Sequence, residues 1–233
     1  MAAPKTADRR RRRVPGKRRR AREMALMMLY QREVSDAVVA PPTDEAARTA
    51  ALDALFANFD LADYLRTTSV GRIHHVPDAV DRAAAEAATR VAQAEVAEAE
   101  SDIDLQPPPI DPGRMAQARE AFRYACVLVR GAIAHLDAID THIRAHAENW
   151  RLERMPIIDR NILRLAIYEM LYESSVPKVV IVDEAIELAK VFGTEHSGRF
   201  VNGLLDGVLQ STSRRPAHAA AAGDDPAGDG GGS

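Results

Sequence analysis

Cysteine is nearly absent from the chain. Cys126 is the only one in 233 residues, which excludes an intrachain disulfide and fits a reducing, cytoplasmic compartment. Aromatic residues make up only 5% of the sequence, so the core must be built mainly from Ala, Leu, Ile, Val and Met. No apolar run approaches the roughly 18–20 residues needed to span a bilayer. The N-terminus is basic, but no apolar stretch with a small-residue cleavage site follows it, so it does not read as a secretory signal. Its arginines run straight into a helical pattern, which sets it apart from a transit peptide. There is no G-x-G-x-x-G turn, Walker loop or G-x-S-x-G elbow. No acid/base constellation can be assigned, and the chain reads as a non-enzyme without a cofactor.

What is present is a strong charge asymmetry. Residues 1–22 hold eleven of the 31 bases and only one acid, Asp8, of the 34, which leaves 20 bases against 33 acids elsewhere. A basic arm on an acidic body suits a protein that meets a polyanion with one end.

Along the chain, residues 1–16 are low-complexity and basic, and disorder is expected there. A helical pattern runs from Lys17 to about Val34. Two Ala-rich patterns follow, at about 44–66 and 79–100, inside an acidic stretch of about 40–106; Pro107, Pro108 and Pro109 stop any helix. Asp111 as N-cap and Pro112 at the first position open a long helix expected to reach His146. Pro156 breaks the chain before a helix at Asp159–Tyr172. Pro177 opens another that closes at Gly193, a suitable C′ residue. A last helix spans about Ser197 to Leu209, and the tail from about 213 should be disordered. The β-branched run at 179–182 is the one place where a strand competes. Short links between apolar-striped helices imply antiparallel bundles. The expected fold is all-α, with an N-terminal helical subdomain (17–150, interrupted by the acidic insertion) and a C-terminal one (151–212).

The segment KRRRAREMALMMLYQ (17–31) bears most on function. At 100° per residue, Arg19, Arg22, Glu23, Leu26 and Tyr30 share one face, opposite Ala21, Met24, Ala25 and Met28. The apolar side can pack while two arginines and a tyrosine stay open. Guanidinium groups pair phosphate oxygens bidentately, and a tyrosine ring offers a stacking surface to an unpaired base. Arg-rich arms that order on contact are common in RNA recognition. A solvated basic tail would have the same composition, and DNA is not excluded, although no helix-turn-helix or zinc-finger spacing is visible.

These residues resemble the opening helix of the NusB antitermination family: arginines, then Ala-Arg-Glu, then an apolar stretch ending Leu-Tyr. IIDRNILRLAIYE (157–169) is similar to the family's first C-terminal helix. VPKVVIVDEAIELAKVFG (176–193) matches its Val-Pro…Glu-Ala…Leu-Ala-Lys…Phe-Gly signature, and FVNGLLD (200–206) its closing motif. The resemblance covers 17–34 and about 112–210. It implies two small helical bundles, binding of the single-stranded boxA element of ribosomal RNA leader transcripts, pairing with the small-subunit ribosomal protein NusE, and entry into the RNA polymerase antitermination complex. It implies RNA contacts at Arg18, Arg19, Arg22, Tyr30, Arg160, Arg199 and Phe200, and a NusE contact at Asp159. Two departures stand out. About 50 extra residues separate the first helix from the long helix, and His196 replaces the acid that many relatives place before the serine after Phe-Gly. The oligomeric state is left open, a homodimer included.

Competing readings exist for several of these positions. Tyr30 can pack at a bundle edge, Phe200 can be core, and Asp159 can simply complement a helix start. Asn202-Gly203 reads as a buried hydrogen bond beside close helix packing. Trp150 reads as a packing residue and Cys126 as a small core residue. His142 and His146 have the i,i+4 spacing of helix-borne metal ligands, with His135 two turns earlier, but no partner motif accompanies them and no metal is expected. A family of ribosomal RNA cytosine methyltransferases has a similar domain ahead of a catalytic one; here the chain ends about 25 residues after the last motif, with no paired catalytic cysteines. The remaining alternative is a protein-interaction module whose acidic insert blocks or replaces RNA binding.

Overall fold

The computed structural model describes residues 16–36, 44–69, 109–147 and 150–213. Every regular element among them is helical: α1 (Lys17–Asp36), α2 (Glu45–Ala57), α3 (Leu61–Ser69), α4 (Pro112–Ala134), α5 (Leu136–His146), a 3-10 turn (Leu152–Arg154), α6 (Ile157–Tyr172), α7 (Lys178–Phe192) and α8 (Ser197–Ser213). The expected disordered arm, the Ala/Glu helix at 79–100 and the C-terminal tail lie outside the described residues.

Local chemistry sets the helix starts. Asp44 Oδ1 accepts from the Ala47 amide at 2.7 Å and opens α2. Asp60 Oδ1 accepts from the amides of Ala62 and Asp63 and opens α3. Those two bonds hold the exposed Asp60 carboxyl below the usual range. Asp111 caps α4 as expected, accepting from the Arg114 amide at 2.8 Å, with Pro112 inside the first turn. Each such cap contributes about 1 kcal/mol by satisfying an orphan amide.

Two expected helices are each divided in two. The 44–66 pattern breaks at Asn58–Asp60, because Asp60 starts a new helix. The long helix from Asp111 breaks at His135, whose backbone (φ −109°, ψ 20°) leaves the helical region. The His135 ring stacks on Tyr172 at a centroid distance of 3.9 Å, and the bend lets α5 turn onto α6 and α8. The 179–182 run is helical. Gly193 closes α7, but with an extended backbone. Its glycine is required by space: a Cβ there would sit 2.5 Å from the Ser197 side chain and 2.7 Å from the Ala189 carbonyl oxygen.

α6 is the central element. It packs against α1, α4, α5, α7 and α8, and nearly every residue from Ile158 to Met170 is buried. A helix apolar on all sides belongs in a core, and its polar members need partners. Buried residues from all of these helices form one continuous cluster, which Tyr64 and Leu65 of α3 also join. The first part of the expected insertion is therefore packed onto the family-like helices. Full burial of a side chain such as Leu163 stabilises by roughly 1.5–3 kcal/mol, and Leu163→Ala would cost about 2–5 kcal/mol.

Candidate nucleic-acid interface

The expectation of an open face on α1 needs correcting. Arg22 is only 3% exposed, and Glu23 and Leu26 on the same face are buried as well. α1 lies against α4, α6 and α2, so it is covered on several sides and lacks the single packed stripe that periodicity suggested. What stays accessible is its N-terminal end: Lys17 and Arg18 are exposed and Arg19 is partly so.

Arg22 lies inside a carboxylate cage. Its Nε donates to Glu169 Oε2 at 2.7 Å, and its Nη1 lies 3.8 Å from Glu184 Oε2. Glu169 also accepts from the Tyr124 hydroxyl at 3.2 Å. Burial, with the Glu169 charge, holds the Tyr124 phenol well above its ordinary range. Glu23 accepts from the Tyr64 hydroxyl at 2.8 Å and from Arg19 Nε at 3.3 Å, which ties α1 to α3. These contacts orient the start of α1 and are internal to the protein.

Arg160 is occupied as well. One terminal nitrogen donates to the Leu152 and Met155 carbonyls at 2.8 and 3.4 Å, and the other meets Glu33. Glu33 also accepts from Asn161 and Arg164, and Arg164 forms a bidentate pair with Asp140 at 2.8 and 2.9 Å. This network joins the end of α1 to α5 and α6. Asp159, in the first turn of α6, is 4% exposed, where its charge complements the helix dipole. Tyr30 is partly buried against the core.

A surface track runs from α1 across α7 to α8. The Arg18 guanidinium donates to the Ser175 carbonyl at 3.2 Å. The Lys190 ammonium, hydrogen-bonded to Glu187 at 2.7 Å, holds that carboxyl below its usual range, and the charge of Arg19 acts in the same direction. The Lys190 side chain lies beside Gly198, and Arg199 follows, exposed. Phe200 is partly buried and lies 5.8 Å from Trp150, which is 54% exposed. Trp150 therefore packs on Phe200, as expected of it, but leaves about half of its surface open to solvent. Gly203 is also exposed, and a Cβ added there would meet nothing, so close helix packing does not explain it. Asn202, partly buried, donates to Asp206 within its own helix at 3.1 Å.

Other candidates have structural roles. His146 pairs its Nδ1 with the His142 carbonyl and covers Gly207. Cys126 is partly buried, and burial pushes its thiol up. Among the described residues no cluster of three metal-ligating side chains occurs, and no helix is long and apolar enough to cross a membrane.

The NusB family model matches residues 82–210, more than half of the chain. The chain belongs to the NusB family. The transcription antitermination protein NusB of Myxococcus xanthus is 52% identical over 95 residues, covering 41% of this chain and 68% of that one. NusB of Solibacter usitatus is 57% identical over 81 residues, covering 35% and 55%. A solved NusB structure from T. maritima aligns at 28% identity and a TM-score of 0.49, over 84% of this chain and 92% of that one. The aligned part thus spans between 55% and 68% of these two sequence relatives. Asp159, Arg160, Arg199 and Phe200 fall within the stretch matched by the NusB model, whereas Arg18, Arg19, Arg22 and Tyr30 precede it. Arg164 and the carboxylates Glu33, Glu169 and Glu184 had no sequence signal as a network, because their partners are far apart in the chain.

Proposed function

We propose that the protein is a transcription antitermination factor that binds the boxA element of ribosomal RNA operon leader transcripts together with NusE and joins the RNA polymerase antitermination complex. The observation behind this reading is the combination of NusB family membership with cationic side chains left accessible at the start of α1 and on α8. Arg18, Arg19 and Arg199 are the proposed phosphate contacts, and Phe200 and Tyr30 the aromatic ones. Arg22 and Arg160, both engaged by carboxylates, are assigned to holding α1 and α6 in place. NusE is proposed to complete the RNA surface near the first turn of α6, at Asp159.

Fluorescence anisotropy with a boxA RNA and a scrambled control, at several salt concentrations and with and without NusE, tests the reading. Preference for boxA that strengthens with NusE is expected. Each phosphate contact to a single strand contributes about 0.7 to the slope of log affinity against log salt, so Arg18→Ala with Arg19→Ala should flatten that slope by about 1.4. Equal, salt-sensitive binding to both RNAs would refute the boxA assignment.

A further inference from the structure

We infer that Trp150 is a base-stacking residue, buttressed by Phe200 and bordered by a glycine clearing at Gly203, which takes one unpaired nucleobase of a bound single-stranded RNA. The inference rests on the RNA-binding reading above and adds to it a position that the family resemblance did not supply.

Three observations converge on the site. First, a tryptophan more than half exposed loses hydrophobic stabilisation where it stands, and it is the only tryptophan in the chain. Its ring nevertheless has a fixed neighbour in Phe200, tilted 53° to it. A centroid distance of 5.8 Å lies inside the ordinary contact range of about 4.5–7 Å for aromatic pairs. The two rings already touch, no base fits between them, and the outer face of the indole is the face on offer. Second, Gly203 lies one turn after Arg199 and Phe200 on α8, and i,i+3 and i,i+4 residues are neighbours on a helix surface. Glycine inside a helix is unfavourable, and here no neighbouring atom requires it. An incoming group that must approach the helix backbone would require it. Third, Arg151, Arg154 and Arg199 are exposed beside the two rings in sequence. Cationic side chains flanking an aromatic surface suit a base with its phosphate, and the charge disfavours a basic protein segment as the occupant.

Because Trp150 is the sole tryptophan, its emission reports on the site directly. Unlabelled boxA RNA is titrated against the full chain with NusE present while tryptophan emission is followed; labelled RNA gives the affinity by anisotropy in parallel. Since NusE could carry tryptophan of its own, its contribution is subtracted using the Trp150→Phe variant. The expected result is quenching of Trp150 that saturates with binding. Trp150→Ala should weaken binding by roughly 5- to 140-fold, the range for loss of one stacked base. Trp150→Phe should retain most of the affinity, and Gly203→Gln should weaken binding without destabilising the fold. RNA that binds with boxA preference but leaves Trp150 emission unchanged, with Trp150→Ala binding as well as the parent chain, would overturn this inference and leave the antitermination reading intact. A change in Trp150 emission on adding NusE alone would overturn it in favour of a protein contact. No RNA binding under any condition would overturn both.

Discussion

Replacing Arg22 by alanine separates a structural arginine from an RNA-contacting one. Arg22 is buried and supplies the cation for Glu169, whose side chain is 1% exposed, and for the partly exposed Glu184. Removing one partner of a buried ion pair typically costs about 3–5 kcal/mol, because the other charge is left uncompensated. The Tyr124 hydroxyl still donates to Glu169, which places the expected cost at the low end of that range. A loss of about 3 kcal/mol is therefore expected, before any packing loss from the arginine stem. With a urea dependence of about 1–3 kcal/mol per molar for a domain of this kind, the unfolding midpoint should fall by roughly 1–3 M. Arg19 is partly exposed, and Glu23 keeps the Tyr64 hydroxyl when its 3.3 Å bond from Arg19 is removed, so replacement by alanine should cost about 1 kcal/mol, less than at Arg22, yet lose RNA affinity. Urea titrations followed by circular dichroism measure the first effect and anisotropy the second. Replacing both Arg22 and Glu169 by apolar residues of similar volume should recover much of the loss. An Arg22→Ala protein with an unchanged midpoint and abolished RNA binding would refute the assignment of this arginine to the core.

Two further perturbations follow from the packing. Gly131→Ala should destabilise by at least the 1–3 kcal/mol typical of overpacking, since its Cβ would fall 1.9 Å from the Tyr168 ring; a thermal midpoint equal to the parent's would show that the ring moves aside freely. Burial, reinforced by the Glu23 charge, raises the Tyr64 phenol far above its ordinary value. A group whose folded value is raised contributes stability that is complete below the unfolded value, near pH 10, and is lost as pH rises through the folded one. Tyr64→Phe should thus be less stable than the parent at pH 7, by about 1.5–3 kcal/mol for a lost hydrogen bond to a charged group, but should lose less stability between pH 9 and 11. Parallel decline of the two proteins in urea midpoints across that range would contradict the argument.

The sequence and the structure agree where information is local. Asp111-Pro112 marks a helix start by its own chemistry, and Pro177 and Gly193 bracket α7, although Gly193 is required by space and not by a left-handed backbone. They differ wherever the deciding partner is remote in the chain. Helical periodicity placed Arg19 and Arg22 on one face and could not register that α6 brings Glu169, 147 residues away, to one of them alone. The same limit applies to Arg160, whose partner Glu33 is 127 residues distant. It also explains the break at His135, since the stacking partner Tyr172 lies on another helix. A single-helix projection assumes that one stripe is buried, and α1 and α6 violate that assumption because several helices surround each of them.

That same crowding narrows the proposed RNA surface. Arg22 and Arg160 are engaged by carboxylates, which leaves Lys17, Arg18 and the partly exposed Arg19 at the start of α1 and Arg199 on α8 among the exposed cations, alongside those of α4 such as Arg114 and Arg119. Buried arginines fix the backbone from which the exposed ones project, which under the proposed function presents a single strand with a preformed platform. A rigid platform lowers the entropic cost of binding, so under the proposed function the buried ion pairs should bear on RNA affinity without touching RNA. The conservative Arg22→Lys keeps the charge but loses the geometry of the guanidinium. It should therefore lower both stability and affinity modestly, whereas loss of a direct contact would lower affinity alone.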